Sequence, residues 1–97
     1  MNFNESCYSI LKNIPKGNVT TYKEIANKLG TKAYRAVGNA MNKNPYPKIP
    51  CHRVVKSSGE IGGFARGKKN KIKKLKQEGV EIINSRIDLD KFLFKLN

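Results

Sequence analysis

Apolar residues at Phe3, Cys7, Leu11 and Ile14 recur at the spacing of one helix face, and Pro15 ends the run. The pattern predicts an amphipathic helix from about Asn4 to Asn13. Cys7 falls on its buried side, which makes it a small core hydrophobe. Pro15-Lys16-Gly17-Asn18 then turns the chain, and β-branched Val19 and Thr20 suit a short strand. Thr21 with Glu24 three positions later forms a capping box, Ile25 and Leu29 follow at helical spacing, and Gly30 supplies a left-handed stop. A further helix is expected from Ala33 to about Asn42, with Ala33, Val37, Ala40 and Met41 on one face and Arg35, Asn39 and Asn42 on another. Helix, short glycine-containing turn and helix over about residues 22–42 is helix-turn-helix grammar.

Beyond it, Asn44 to Pro50 holds three prolines in its last six positions, enough to stiffen an extended loop that leads into Cys51. Val54 and Val55 read as a short strand, Ser57-Ser58-Gly59 as a turn, and Ile61-Gly62-Gly63-Phe64 as a glycine segment. Its spacing matches neither a Walker loop nor a dinucleotide fingerprint, so Gly62 and Gly63 are expected to let backbone approach a ligand or partner. From Arg66 to Lys76 seven of eleven residues are basic, with Ile72 and Leu75 as a narrow apolar stripe and Gly79 as the stop. Val80, Ile82 and Ile83 suggest an extended piece, and Leu89, Phe92, Leu93 and Leu96 a terminal helix that covers the core. The expected fold is mainly α, a winged helix-turn-helix-like single domain over residues 1–97 with short β elements, its site loop at about 44–55.

Charge narrows the partner class. Twenty Lys and Arg against seven Asp and Glu give a net charge of +13, so a polyanion is expected. A membrane surface is disfavoured by the absence of Trp, and no apolar run or leader pattern points to a membrane or to secretion. These features predict a cytoplasmic chain, intracellular and DNA-associated, nuclear if its cell has a nucleus. Small residues Ala36, Gly38 and Ala40 would let the second helix lie against a sugar-phosphate wall. The run containing Lys68 and Lys69 fits phosphate contact, having no acidic residue before Glu78. One histidine and two separated cysteines supply no zinc pattern, and Cys7 and Cys51 are expected as free thiols.

Pro50-Cys51-His52-Arg53-Val54, preceded by Arg35-Ala36-Val37-Gly38 and Asn44-Pro45, resembles the DNA-binding domain of the O6-alkylguanine-DNA alkyltransferases, also called methylated-DNA–protein-cysteine methyltransferases. Thr20-Thr21-Tyr22, Ser57-Ser58-Gly59 and Glu78-Gly79 extend the resemblance from about Phe3 to Asp90. It implies that the chain, a monomer without metal or cofactor, extrudes O6-alkylguanine, and also O4-alkylthymine, from double-stranded DNA. The alkyl group would pass irreversibly to Cys51, once per molecule. By the same resemblance His52 activates Cys51 through a water molecule, Glu78 orients His52, and Tyr22 crowds the phosphate backbone and donates a proton toward the leaving purine. Arg35 enters the base stack, Ala36, Gly38, Asn39, Lys68 and Lys69 meet DNA, and Met41, Asn44, Val54, Gly62, Gly63, Phe64 and Ala65 shape the pocket.

Departures from the family pattern are a loop from Asn44 to Cys51 one residue shorter than in many members, and Phe64-Ala65-Arg66 where many have tyrosine, serine or glycine. Arg66 is expected to narrow the pocket against bulky aryl groups. Members usually carry a further N-terminal domain, whose roles do not transfer to this chain. Two other readings stand beside the enzyme: a non-catalytic alkyltransferase-like damage-recognition protein, commonly with tryptophan in place of the cysteine, and a small helix-turn-helix regulator for which Cys51 is incidental. A thiol hydrolase lacks any supporting motif.

Overall fold

The computed structural model describes residues 2–64 and 66–96, so Ala65, expected in the pocket, lies outside the described residues. The first helix, α1 (Phe3–Leu11), starts one residue earlier than its apolar spacing suggests because Asn2 caps it, accepting a hydrogen bond from Glu5 N at 2.8 Å. Cys7, Leu11 and Ile14 are buried, as the spacing requires. Tyr8 joins them, and its hydroxyl donates to Ala40 O at 2.7 Å, a tie between α1 and the third helix.

Two very short strands organise the middle of the chain. β1 (Thr20–Thr21) pairs in parallel with β2 (Val54–Val55), Thr20 opposite Val54. Thr21 is also the N-cap of α2 (Tyr22–Lys28), its Oγ1 accepting from Glu24 N at 3.0 Å. At the far end Gly30 takes φ +73°, and Gly30 N and Thr31 N return to Asn27 O and Ala26 O, both at 3.0 Å. α3 (Tyr34–Asn42) buries Val37, Ala40 and Met41. One detail corrects the sequence reading, since Ala33 is exposed at the cap position, and another decides within it: Ala40, expected both on the Val37–Met41 face and on the small-residue face, lies in the core under Tyr8. Ala36 and Gly38 remain on that outer face, each partly exposed.

The basic helix α4 (Lys68–Gln77) begins after Gly67 and ends with a left-handed Gly79, φ +90°. There Gly79 N donates to Lys76 O and Val80 N to Leu75 O, each at 3.0 Å, which leaves Glu78 at the C-cap. The expected terminal helix is a single turn, α5 (Leu89–Phe92). It stops because Val19 N donates to Phe92 O at 3.0 Å and Phe94 N to Val19 O at 2.9 Å, drawing Leu93 into a parallel bridge beside β1. Pairing with a distant backbone outweighs the helical spacing of Leu93 and Leu96. Ile83 and Arg86 form a small reversal through Asn84 and Ser85.

The apolar interior has two parts, and β2 divides them. Val54 packs with Cys7, Leu11, Ile25, Val37 and Met41 beneath the three N-terminal helices, whereas Val55 packs with Val19, Ile61, Leu75 and Phe92 beneath α4. Adjacent strand residues point to opposite faces, so two consecutive valines serve both halves. Among the described residues no helix is long and apolar enough to cross a membrane.

Tyr8→Phe leaves the Ala40 carbonyl buried without its donor. The expected cost is about 1–2 kcal/mol of folding free energy, read by chemical denaturation; an unchanged midpoint would show that the α1–α3 tie contributes nothing.

Candidate active site

Cys51 opens a 3₁₀ turn (Cys51–Arg53) between the proline loop and β2. Its backbone N–H donates to Ile49 O at 2.8 Å. The loop is braced by Asn44, whose Nδ2 donates to Ile49 O at 3.3 Å while its Oδ1 accepts from Tyr46 N at 2.9 Å. The prolines limit the loop and Asn44 ties its ends, so the turn is delivered to one place. Cys51 is a free, partly exposed thiol there, in contrast to the buried Cys7, whose thiol burial pushes up in pKa.

The turn places His52 and Arg53 against the end of α4. His52 Nε2 lies 3.0 Å from Glu78 Oε2. Arg53 grips the same carboxylate in a two-pronged contact, Nε to Oε1 at 2.9 Å and Nη2 to Oε2 at 2.7 Å, and its Nη1 donates to Ile14 O at 2.7 Å. Burial works to raise the Glu78 pKa, but the hydrogen bonds from Arg53 and then His52 outweigh it and hold the carboxyl below its ordinary value. An ionised Glu78 accepts from the Nε2–H of His52 and thereby leaves Nδ1 as the ring's free base. For His52 burial prevails, and despite Glu78 the imidazole is held below its ordinary pKa. A neutral imidazole with one free nitrogen is equipped to take a proton. Among the described residues no direct hydrogen bond joins Cys51 Sγ to His52.

Cys51, His52, Arg53 and Asn44 share a cavity of about 350 Å³ with Tyr46, Phe64 and Arg66. A neighbouring cavity of about 420 Å³ is lined by Gly62, Gly63, Lys56, Lys68 and Arg86, and Phe64 belongs to both. Met41 and Val54 lie in the core against which Cys51 packs. Tyr22 opens α2, and a Cβ on Gly62 would come within 3.2 Å of its hydroxyl, so the glycine lets backbone meet the phenol. Burial, and then Cys51, raise the Tyr22 pKa and keep the hydroxyl protonated.

The outward face is basic and small. Arg35 and Asn39 are exposed on α3, and Lys68 and Lys69 on the first turn of α4. A Cβ added to Gly38 would meet nothing within 4 Å. Two contributors were absent from the sequence reading. Arg53 was legible as part of a motif, but its grip on Glu78 was not. Lys71, in the middle of the basic run, is fully buried with its ammonium 3.1 Å from Gly63 O and 5.8 Å from the Tyr22 ring centre.

Residues 2–80 match the family model described as 6-O-methylguanine DNA methyltransferase, DNA binding domain. The chain belongs to this family. Members of the methylguanine methyltransferase family similar to it include a Saccharolobus solfataricus protein named methylated-DNA–protein-cysteine methyltransferase, 51% identical over 81 residues, which are 82% of this chain and 52% of that protein. A Picrophilus torridus protein named bifunctional methyltransferase/endonuclease is 45% identical over 89 residues, 90% of this chain and 30% of that one. The chain thus spans about half the length, or less, of these relatives. In structure it resembles S. pombe Atl1 bound to damaged DNA containing O6-carboxymethylguanine, with TM-score 0.87 and 33% identity over 97% of this chain and 95% of that one. It also resembles the O6-methylguanine-DNA methyltransferase of Pyrococcus kodakaraensis, with TM-score 0.75 and 45% identity over 82% of this chain and 47% of that one. The family is one of DNA repair by alkyl transfer from guanine, and the matched segment spans both Cys51 and Glu78.

Two linkages give stability a defined pH dependence. His52 has a folded-state pKa below its unfolded one, so its penalty is absent well above about pH 6.5 and grows as the unfolded chain takes up a proton that the folded site refuses. Glu78 is also depressed, so its contribution is present above the ordinary carboxylate range and disappears as pH falls through the folded value. Unfolding free energy should therefore drop in two stages on acidification. His52→Gln should remove the first stage and Glu78→Gln the second, as read by denaturation at a series of pH values.

Proposed function

We propose that this chain repairs alkylated double-stranded DNA by direct reversal, rotating O6-alkylguanine out of the duplex and taking the alkyl group onto Cys51. The observation that carries this reading is the partly exposed Cys51 thiol on a cavity wall beside an imidazole whose other nitrogen is engaged by Glu78. The Cys51 proton passes to His52 Nδ1 through an intervening water, and the sulfur attacks the alkyl carbon. The S–C bond forms as the C–O6 bond breaks, and guanine leaves with its charge quenched by a proton from Tyr22. A thioether is not reopened by water, so each molecule acts once. O4-alkylthymine is a second substrate.

In this proposal α3 is the DNA-facing helix, with Arg35 filling the space of the extruded base and Ala36, Gly38 and Asn39 against the backbone. Lys68 and Lys69 add phosphate contacts that carry no sequence preference. Asn44, Phe64 and Arg66 frame the base, with Gly62 and Gly63 on the far side of Phe64. The chain acts as a monomer, a single unit over residues 1–97, associated with DNA inside the cell.

A damage-flagging role without transfer is the second reading. It is favoured by one observation: the likeness to Atl1 covers nearly the whole of both chains. Intact-protein mass after incubation with duplex carrying O6-methylguanine decides. One added methyl, absent in Cys51→Ala, supports transfer, and tight binding with no mass change supports flagging. Preference for one undamaged sequence would instead point to a regulator.

Gly38 separates fold from binding. Since its Cβ direction is open, Gly38→Ala should raise stability by about 0.5–1 kcal/mol through helix propensity while weakening duplex binding. A variant that is more stable and binds DNA as tightly as the native chain would remove α3 from the interface.

A further inference from the structure

A second concentration of positive charge lies away from the thiol. The cavity of about 420 Å³ on the other side of Phe64 gathers Lys56, Lys68 and Arg86 from three segments: the residue after β2, the first turn of α4 and the reversal at 83–86. Among the described residues none of these exposed cations forms an ion pair, and Glu60 is the one carboxylate in the lining. Its Oε1 already accepts from Ser58 Oγ at 3.0 Å. Basic residues scattered over a surface are ordinarily just solvated, so this convergence needs a cause in the backbone.

The reversal supplies it. Ile83 N donates to Arg86 O and Arg86 N to Ile83 O, both at 3.0 Å, and the turn between them puts Asn84 and Ser85 at φ +54° and +61°. Two successive residues with side chains in the left-handed region are unfavourable unless their surroundings hold them there. Here Glu60 pairs with Arg86 in an antiparallel bridge, and Ile87 N donates to Gly59 O at 2.8 Å. Gly59 is required for this approach, since a Cβ on it would come within 2.5 Å of Ile87 O. The Arg86 backbone is thereby fixed at the cavity, although it lies past residue 80, where the match to the family model ends.

We propose that this cavity is a phosphate site, and that in the DNA complex it takes a backbone phosphate of the strand whose extruded base enters the Cys51 cavity. Phe64 belongs to both cavities, so a strand that leaves its base on one side of the ring carries a neighbouring phosphate past the other. A phosphodiester answers three unpaired cations, with the Arg86 guanidinium offering a fork to its oxygens, and the contact carries no base identity. The inference rests on the proposed extrusion of the base from duplex DNA and does not depend on transfer to Cys51.

The test is the salt dependence of binding to a duplex carrying O6-methylguanine. Each cation that meets a phosphate contributes about 0.9 to the slope of log affinity against log salt. Arg86→Gln and Lys56→Gln should each reduce the slope by about that amount, whereas Arg86→Lys, which keeps the charge, should retain most of it. Replacing the phosphates that flank the lesion one at a time by neutral methylphosphonates should reveal one whose loss weakens the native chain and leaves Arg86→Gln unaffected. Thermal melting checks that each variant is folded, and should one fail to fold the other decides. A native slope in both glutamine variants overturns the proposal. Perturbation of the Arg86 amide by inorganic phosphate, with the slope unmoved, assigns the cavity to free phosphate and equally removes the DNA contact. A native chain that binds no duplex removes the partner reading itself, whereas native salt-dependent binding with unmoved variants removes this site alone.

Discussion

One carboxylate holds this site together. Glu78 accepts two hydrogen bonds from Arg53 and lies 3.0 Å from His52, while Arg53 also reaches the carbonyl of Ile14 beyond α1. Its position is an awkward one for a negative charge, because the last turn of a helix already presents unpaired carbonyls and the negative end of the dipole. The two basic neighbours therefore answer the helix end as well as the partly buried carboxylate. Through them the end of α4, the turn after the proline loop and the segment following α1 converge on a few oxygen atoms. With one partner removed, the others are left buried and unanswered, the expensive outcome for a charged network.

The same economy of structure connects α2 and α3 to the thiol. Only four residues form the paired strands, yet β1 runs directly into the cap of α2 and β2 follows directly from the turn that holds Cys51. On the other side α3 ends at Asn42, and Asn44 then braces the loop to Cys51. The sulfur is tied at both ends to the helix-turn-helix by very short spans. Its distance from anything lying against α3 is consequently set by the fold. Prolines in the loop reinforce this by narrowing the conformations open to the unfolded chain.

Much of this was legible from local rules. Apolar spacing located α1, α2 and α3, the Thr21–Glu24 pair marked a helix start, and Gly30 and Gly79 marked two ends. The failures share a cause. Lys71 counts as polar in any binary pattern, and nothing nearby in sequence reveals that its partners are a carbonyl eight residues earlier and a phenol on another helix. Ala40 was read both ways, with Val37 and Met41 on the apolar face and with Ala36 and Gly38 as a small surface residue; its burial, with its carbonyl bound by the Tyr8 hydroxyl, decides for the first. Leu93 and Leu96 continue a helical pattern that ends at Phe92 because Val19 offers backbone pairing. Each miss is a long-range contact overruling a short-range preference.

Glu78 and Lys71 are the informative contrast, since α4 carries both. The carboxylate is met by three nitrogen contacts, and the balance of burial against those contacts leaves it ionised. The ammonium meets one carbonyl and an aromatic face, and burial wins. A helix whose only task was to coat DNA with positive charge would turn every lysine outward, where each is solvated at no cost. Among the described residues no carboxylate pairs with the buried one, which forfeits stability that an apolar residue at the same position would retain. That charge ends up against the Gly63 carbonyl and the Tyr22 ring, so the basic helix contributes to the interior of the fold as well as to its outer surface.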